Sequence, residues 1–165
     1  MGRFLLLVLA VLLAGCGRPS EPGELEIGAA APDFAGVDLA GNPFGLAQFT
    51  GQPVIIRFWS TECKFCRADT PVFNEIYAKF HDKGLQIAYI NTLSNLRQVT
   101  DFVAELGITF PVLMDENGTI AARYRIKLVP QTIIIDRNHT LAAAILGGVS
   151  EAEIMDVLRE DLPNE

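Results

Sequence analysis

From about Ile27 onward, short apolar runs alternate with apolar stripes at helical spacing. Val54-Ile55-Ile56-Arg57-Phe58-Trp59 is bounded by Gly51 and Pro53 before it and Ser60-Thr61 after it, and predicts a buried strand. Val72, Phe73, Ile76, Tyr77 and Phe80 then fall on one face of a helix that Lys83-Gly84 closes. Leu85 to Ile90 predicts a second strand. Leu96, Val99, Phe102, Val103 and Leu106 form a second stripe, ended by Gly107. Phe110 to Met114 reads as a short strand, Asp115-Glu116-Asn117-Gly118 as a turn, and Ile120 to Tyr124 as a brief helix. Gln131 to Ile135 and Thr140 to Leu146 read as two strands joined by a hairpin turn at Asp136-Arg137-Asn138-His139. Ser150 caps a last helix carrying Ile154, Val157 and Leu158, with Glu151 and Glu153 in the first turn where the dipole favours them. This order predicts an α/β sandwich whose central mixed sheet is flanked by helices. The sheet should be parallel where helices cross over and antiparallel at the closing hairpin. Ahead of it, turn signals from Asp38 to Pro43 inside Asp33 to Phe49 predict an N-terminal β-hairpin at the edge.

The first residues follow another pattern. MGRFLLLVLAVLLAGC places one positive charge, Arg3, before an apolar run from Phe4 to Ala14, which is too short for the roughly 20 residues a spanning helix needs. A charged start, an apolar middle and small residues before a cut predict a secretory signal over residues 1–15. Cys16 directly after Leu13-Ala14-Gly15 resembles a bacterial lipobox, in which that thiol is lipidated; the alternative is a signal anchor with an incidental cysteine. Gly17 to Glu26, rich in Pro, Gly and Glu, completes a lipidated N-terminus and flexible linker over residues 16–26. A single domain is expected over residues 27–165.

Charge narrows the partners. The chain carries a net −7, and loss of Arg3 with the signal makes it −8. No basic cluster exceeds two or three residues, so nucleic acid is not an expected partner. The expected membrane contact is through lipid, on the periplasmic side, and the domain is expected to be monomeric.

With Cys16 lipidated, Cys63 and Cys66 are the remaining thiols, in a compartment that allows disulfides. A metal clip, a structural staple and a redox couple compete. Structural zinc needs four ligands, and His81 and His139 have no finger-like spacing. A staple across three residues constrains the unfolded chain little. The redox reading leads, with no cofactor and no metal.

Cys63 is expected at a helix N-terminus, where free N–H groups and the dipole favour a thiolate. Cys66 lies one turn inward, placed to resolve a mixed disulfide formed at Cys63. Lys64 favours the thiolate and Glu62 opposes it. Asp69, one turn beyond Cys66, is either the acceptor of its proton or a solvated acid serving the dipole. Pro71 should kink the helix or mark the end of an irregular first turn. Arg57, mid-strand, either pairs with an acid such as Asp69 or sits near an edge and snorkels to water; the second reading is slightly favoured.

Phe58-Trp59 before Cys63-Lys64-Phe65-Cys66, Ala31-Pro32-Asp33-Phe34 near the domain start, and Asp69 and Pro71 in the next helix together resemble a known family. So do the added strand–helix element around Asn91 to Met114 and Val129-Pro130-Gln131-Thr132 before a strand. The chain is similar to the TlpA/ResA-like thiol–disulfide oxidoreductases of the thioredoxin superfamily. The resemblance implies a thioredoxin-like fold with Cys63 as exposed nucleophile and Cys66 as resolving thiol, joined when oxidised in a redox-active disulfide. It also implies a cis Pro130 that receives substrate as an added strand, with Trp59 and Val129 beside it. Asp69 matches a position where ResA-like proteins carry a glutamate that tunes the thiols. The implied partners are proteins with disulfides or thiols, in cytochrome c maturation or copper-site thiol reduction, and a membrane electron donor. Two departures stand out: Glu62 replaces the usual Trp, and Arg57 stands where thioredoxins have a buried Asp and relatives often Asn. A peroxiredoxin site would want Thr and Pro where Ser60 and Ile56 stand. Two readings of other classes compete. One is a copper-binding module using Cys63, Cys66 and His139, similar to Sco-like proteins, although those space their cysteines by three residues. The other is a non-catalytic binding lipoprotein, which leaves the cysteine pair unexplained.

Overall fold

The computed structural model describes residues 25–162. The expected signal segment, Cys16 and nearly all of the linker lie outside them.

A hairpin of β1 (Ala35–Val37) and β2 (Pro43–Gly45) comes first. Its turn is held by Asp38, whose carboxylate accepts the N–H groups of Ala40 and Asn42 at 2.9 and 2.8 Å. The main elements are β3 (Val54–Trp59), α1 (Lys64–Phe80), β4 (Gln86–Asn91), α2 (Leu96–Glu105), β5 (Val112–Met114), α3 (Thr119–Arg123), β6 (Gln131–Ile135), β7 (Leu141–Leu146) and α4 (Glu151–Val157). The five-stranded sheet has the order β5-β4-β3-β6-β7. β3, β4 and β5 are parallel; β6 runs antiparallel to β3, and β7 to β6. The expected sandwich with a mixed central sheet is the observed one. The hairpin forms a small sheet of its own and touches β5 through a single bridge between Asp38 and Leu113.

Alternate residues of β3 feed two cores, because successive side chains point to opposite faces. Ile55 and Trp59 pack with Phe73, Ile76 and Phe80 of α1, Val99 and Phe102 of α2, and Ile154 of α4. Val54, Ile56 and Phe58 pack on the other side with Phe34, Phe44, Ile120 and Tyr124. Each large side chain buried this way contributes about 1.5–3 kcal/mol. Arg57 shares the parity of Ile55 and Trp59, so it points at α1.

Two local expectations change. Pro71 sits inside an unbroken helix, so no irregular first turn ends there. Leu96, at the start of α2, is exposed, while Val99 and Phe102 carry the buried stripe. Gly147, after β7, has φ +100°, a left-handed conformation that side-chain-bearing residues rarely adopt.

Candidate functional site

β3 ends at Trp59, and the next residues turn sharply into α1. Cys63 N–H donates to the Ser60 carbonyl at 3.2 Å, closing the turn. Ser94, on the loop after β4, braces it from outside: its hydroxyl accepts the Thr61 N–H at 2.9 Å and lies 3.0 Å from the Thr61 hydroxyl. Ser94 is held in turn by the Asn91 side chain, whose Nδ2 donates to its hydroxyl at 3.2 Å and whose Oδ1 accepts its backbone N–H at 2.9 Å. A polar Asn ending an apolar strand was the available signal for this brace, and the sequence reading passed over it.

Cys63 is the N-cap of α1, and its sulfur accepts the Cys66 N–H at 3.1 Å. The two cysteines are joined in a disulfide with Cα atoms 5.2 Å apart. Cys63 is half-buried and Cys66 is fully buried, so only the first sulfur is accessible to a partner. The Cys66 N–H and the dipole at this helix start stabilise a thiolate there. Glu62 and Lys64 flank it, both exposed.

Arg57 is the main correction. It is fully buried, because β3 is the central strand, bonded on one side by β4 and on the other by β6. A mid-strand side chain there has no route to water, and snorkelling is impossible. Its guanidinium pairs with the Asp69 carboxylate through Nη2 and Oδ2. Nη1 donates to the Thr132 hydroxyl at 2.6 Å and to the Gly147 carbonyl at 3.0 Å. The Phe73 ring lies 5.2 Å from its Cζ. Asp69 is therefore not a solvated acid; it is buried on the inner face of α1 one turn after Cys66. Burial raises the Asp69 pKa, and the adjacent Arg57 charge and the Val149 N–H, 3.3 Å from Oδ2, pull it back. Burial likewise lowers the Arg57 pKa, and Asp69 opposes that. Thr132 and Gly147 were not foreseen, although a hydroxyl inside Gln131-Thr132-Ile133-Ile134 and a Gly-Gly pair after β7 were visible.

The Val129–Pro130 peptide bond is cis. Gln131 stands opposite Phe58, which puts Pro130 at the level of Trp59 and the same sheet end as the disulfide. Pro130 is buried, and its carbonyl accepts the Gly147 N–H at 2.8 Å. Val129 lines an apolar groove of about 470 Å³ with Leu93, Ala121, Ala122, Ile126 and Leu128. Exposed Phe65, Leu93, Leu128 and Leu146 all stand at this end. Trp59 does not join them. It is fully buried, with its ring 4.5 Å from Phe102 and 5.8 Å from Tyr89, so it supports the redox turn from below and offers no face to a substrate.

His139 stands in the β6–β7 turn with its Nε2 3.1 Å from the Phe49 carbonyl. That is the opposite end of the sheet, the length of β3 away from the cysteines, or roughly 17 Å. Among the described residues, no group of three or more His, Cys, Asp or Glu is placed to hold a metal.

The model of the AhpC/TSA family matches residues 27–144, from the domain start into β7. The chain belongs to this family. Among its relatives, the thiol-disulfide oxidoreductase ResA of Geobacillus kaustophilus is 31% identical over 153 residues, covering 89% of this chain and 88% of the relative. ResA of Bacillus thuringiensis subsp. konkukian is 30% identical, covering 97% of this chain and 96% of the relative. Among solved structures, a thiol:disulfide interchange protein of the thioredoxin family from Chlorobium tepidum superposes with a TM-score of 0.75 at 25% identity, covering 86% of this chain and all of that one. This AhpC/TSA member is thus a thioredoxin-like thiol–disulfide oxidoreductase, with Cys63 and Cys66 at disulfide distance.

Proposed function

We propose that the protein reduces disulfides of polypeptide substrates on the extracytoplasmic side of a bacterial membrane, held there by lipid on Cys16. The observation that carries this reading is the asymmetry of the pair: an accessible Cys63 sulfur at a helix N-terminus and a fully buried Cys66 behind it. The exposed apolar residues around the pair favour a polypeptide over a small disulfide as substrate.

The steps follow from this asymmetry. The Cys63 thiolate attacks one sulfur of a substrate disulfide; that S–S bond breaks, and the departing sulfur leaves as a thiolate that takes a proton. The substrate chain lies along the Val129–Pro130 loop as an added strand during this stage. Cys66 then gives its proton to Asp69 and attacks Cys63 Sγ. The mixed disulfide breaks, the second substrate sulfur leaves reduced, and Cys63–Cys66 closes. Two electrons have passed to the substrate, and a membrane electron donor of the disulfide-reductase type restores the dithiol. Apocytochrome c and copper-site cysteines are the substrate classes suggested by the family resemblance. The copper-module alternative gains no support from His139, which is bonded elsewhere at the far sheet end.

Cys66→Ser tests the reading. It removes the resolving thiol and leaves Cys63 able to attack, so substrate proteins should accumulate as mixed disulfides on Cys63 in cells. Cys63→Ser should trap none. A Cys66→Ser protein that captures no partner, isolated under conditions that block thiol exchange, would count against the exchange chemistry.

A further inference from the structure

The Arg57–Asp69 pair has an asymmetry of its own. The guanidinium and the Val149 N–H converge on Oδ2 of Asp69, whose own backbone N–H also favours the charged carboxylate. Oδ1 is buried and has no hydrogen-bond partner among the described residues. A bare carboxylate oxygen in a protein interior is costly, and such a group calls for an explanation. A pair retained only for stability does not supply one, since buried ion pairs are often replaceable by apolar residues without loss. The redox state does supply one. In the disulfide, Cys66 carries no proton. Reduction adds two electrons and two protons, and Cys66 then bears an S–H one helical turn from Asp69 on the same buried face.

We infer that Arg57 is a positioning residue for the resolving half-reaction: it holds Asp69 charged and turned so that Oδ1 stays free for the proton of Cys66. This rests on the exchange chemistry proposed above. The anchoring of Arg57 suits the task. Thr132 on β6 and the Gly147 carbonyl fix Nη1, which leaves Nη2 to aim at Oδ2. Gly147 thus ties the Pro130 loop, through its N–H, to Arg57, through its carbonyl. The groups facing Asp69 are few. α1 supplies Cys66, β3 supplies Arg57, and the segment before α4 supplies the Val149 N–H. β4 supplies the Tyr89 phenol, which burial holds neutral and which lies 3.5 Å from the Thr70 hydroxyl. Of these, Arg57 alone is cationic, so removing it leaves the carboxylate without a counter-charge.

The test is stopped-flow reaction of the reduced protein with the aromatic disulfide dithiobis(nitrobenzoate). One coloured thiolate is released when Cys63 attacks and a second when Cys66 resolves. Arg57→Met is expected to move the pH inflection of the second phase up by about one unit or more, and to slow that phase about tenfold at about pH 6. The first phase should stay nearly unchanged, and Arg57→Lys should recover most of the loss. Asp69→Asn should abolish the inflection, and adding Arg57→Met to it should change the second phase no further. Equal slowing of both phases at every pH, or multiplying effects in the double variant, would overturn the role given to Arg57. Should Arg57→Met fail to fold, carbon-13 NMR of Asp69 in the wild-type protein decides. An ionised carboxylate in the disulfide form at about pH 6, with a signal that moves on reduction, supports the role. A protonated one, or a signal unmoved by reduction, refutes it. Failure of the wild-type protein to release any second thiolate would refute the exchange chemistry as well, which separates the two failures.

Discussion

At the scale of single residues, the site turns on a buried cation. Arg57 has its ion-pair partner, two further acceptors and an aromatic ring around it. Removing one member of such a pair leaves the other charge buried and uncompensated, at a cost of about 3–5 kcal/mol. Asp69→Ala should therefore lower stability by about that amount in urea unfolding of the disulfide form, while Arg57→Met/Asp69→Leu together should recover most of it. A cost below about 1 kcal/mol for Asp69→Ala would mean that the pair carries no buried charge. The sequence offered Asp69 as a partner for Arg57 but slightly favoured an edge position, and the reason is physical. β3 is apolar on both faces, so its pattern marks a strand without showing which strands flank it, and an arginine inside it leans towards an edge although the strand is central. Trp59 misled in the same way: an aromatic beside the cysteines suggests a surface for substrate, and only the packing of Phe102 and Tyr89 shows that it is filled from below.

At the scale of elements, local chemistry was a reliable guide. Ser150 caps α4 as its position before Glu151 and Glu153 implied. The Glu153 carboxylate accepts the Ser150 N–H at 2.9 Å and its hydroxyl at 2.6 Å. These bonds hold the Glu153 pKa below the ordinary glutamate value. A depressed carboxylate pKa contributes stability that is fully present above its unfolded-state value and is lost as pH falls through the folded-state one. Protection of the first-turn amides of α4, measured against their intrinsic exchange rates, should therefore fall on acidification across that range, and Glu153→Gln should blunt the response. Exchange that ignores pH beyond its intrinsic chemistry would show that the capping box does not hold the turn. The hairpin at Asp136–His139 and the strands on either side were equally legible, because turn residues and alternation are written in neighbouring positions. The pairing of the first hairpin was less so. Its turn was visible, but its attachment to β5 by one bridge depends on partners far along the chain.

At the scale of the molecule, the sheet order assembles the site. β3 and β6 are neighbours, so a loop more than sixty residues downstream of the cysteines brings Pro130 level with Trp59. β4 ends beside β3 and sends Ser94 to brace Thr61. The helices α1, α2 and α4 cover one face and bury Cys66, Asp69 and Arg57 beneath it. The motif and its family were recognisable from the sequence because the cysteine pair and Val129-Pro130 keep their spacing to strands that the pattern also marks. The charge environment was not, since it is made by residues from β3, α1, β6 and the segment after β7. That environment bears on the direction of electron flow. A carboxylate held near the buried cysteine disfavours a second negative charge there and so favours the reducing role. The most direct measurement is the reduction potential of the Cys63–Cys66 couple, by equilibration of the domain with defined thiol buffers. A value near the roughly −270 mV of thioredoxin is the predicted result. A value at or above about −180 mV, in the range of isomerases and strong oxidants, would contradict it.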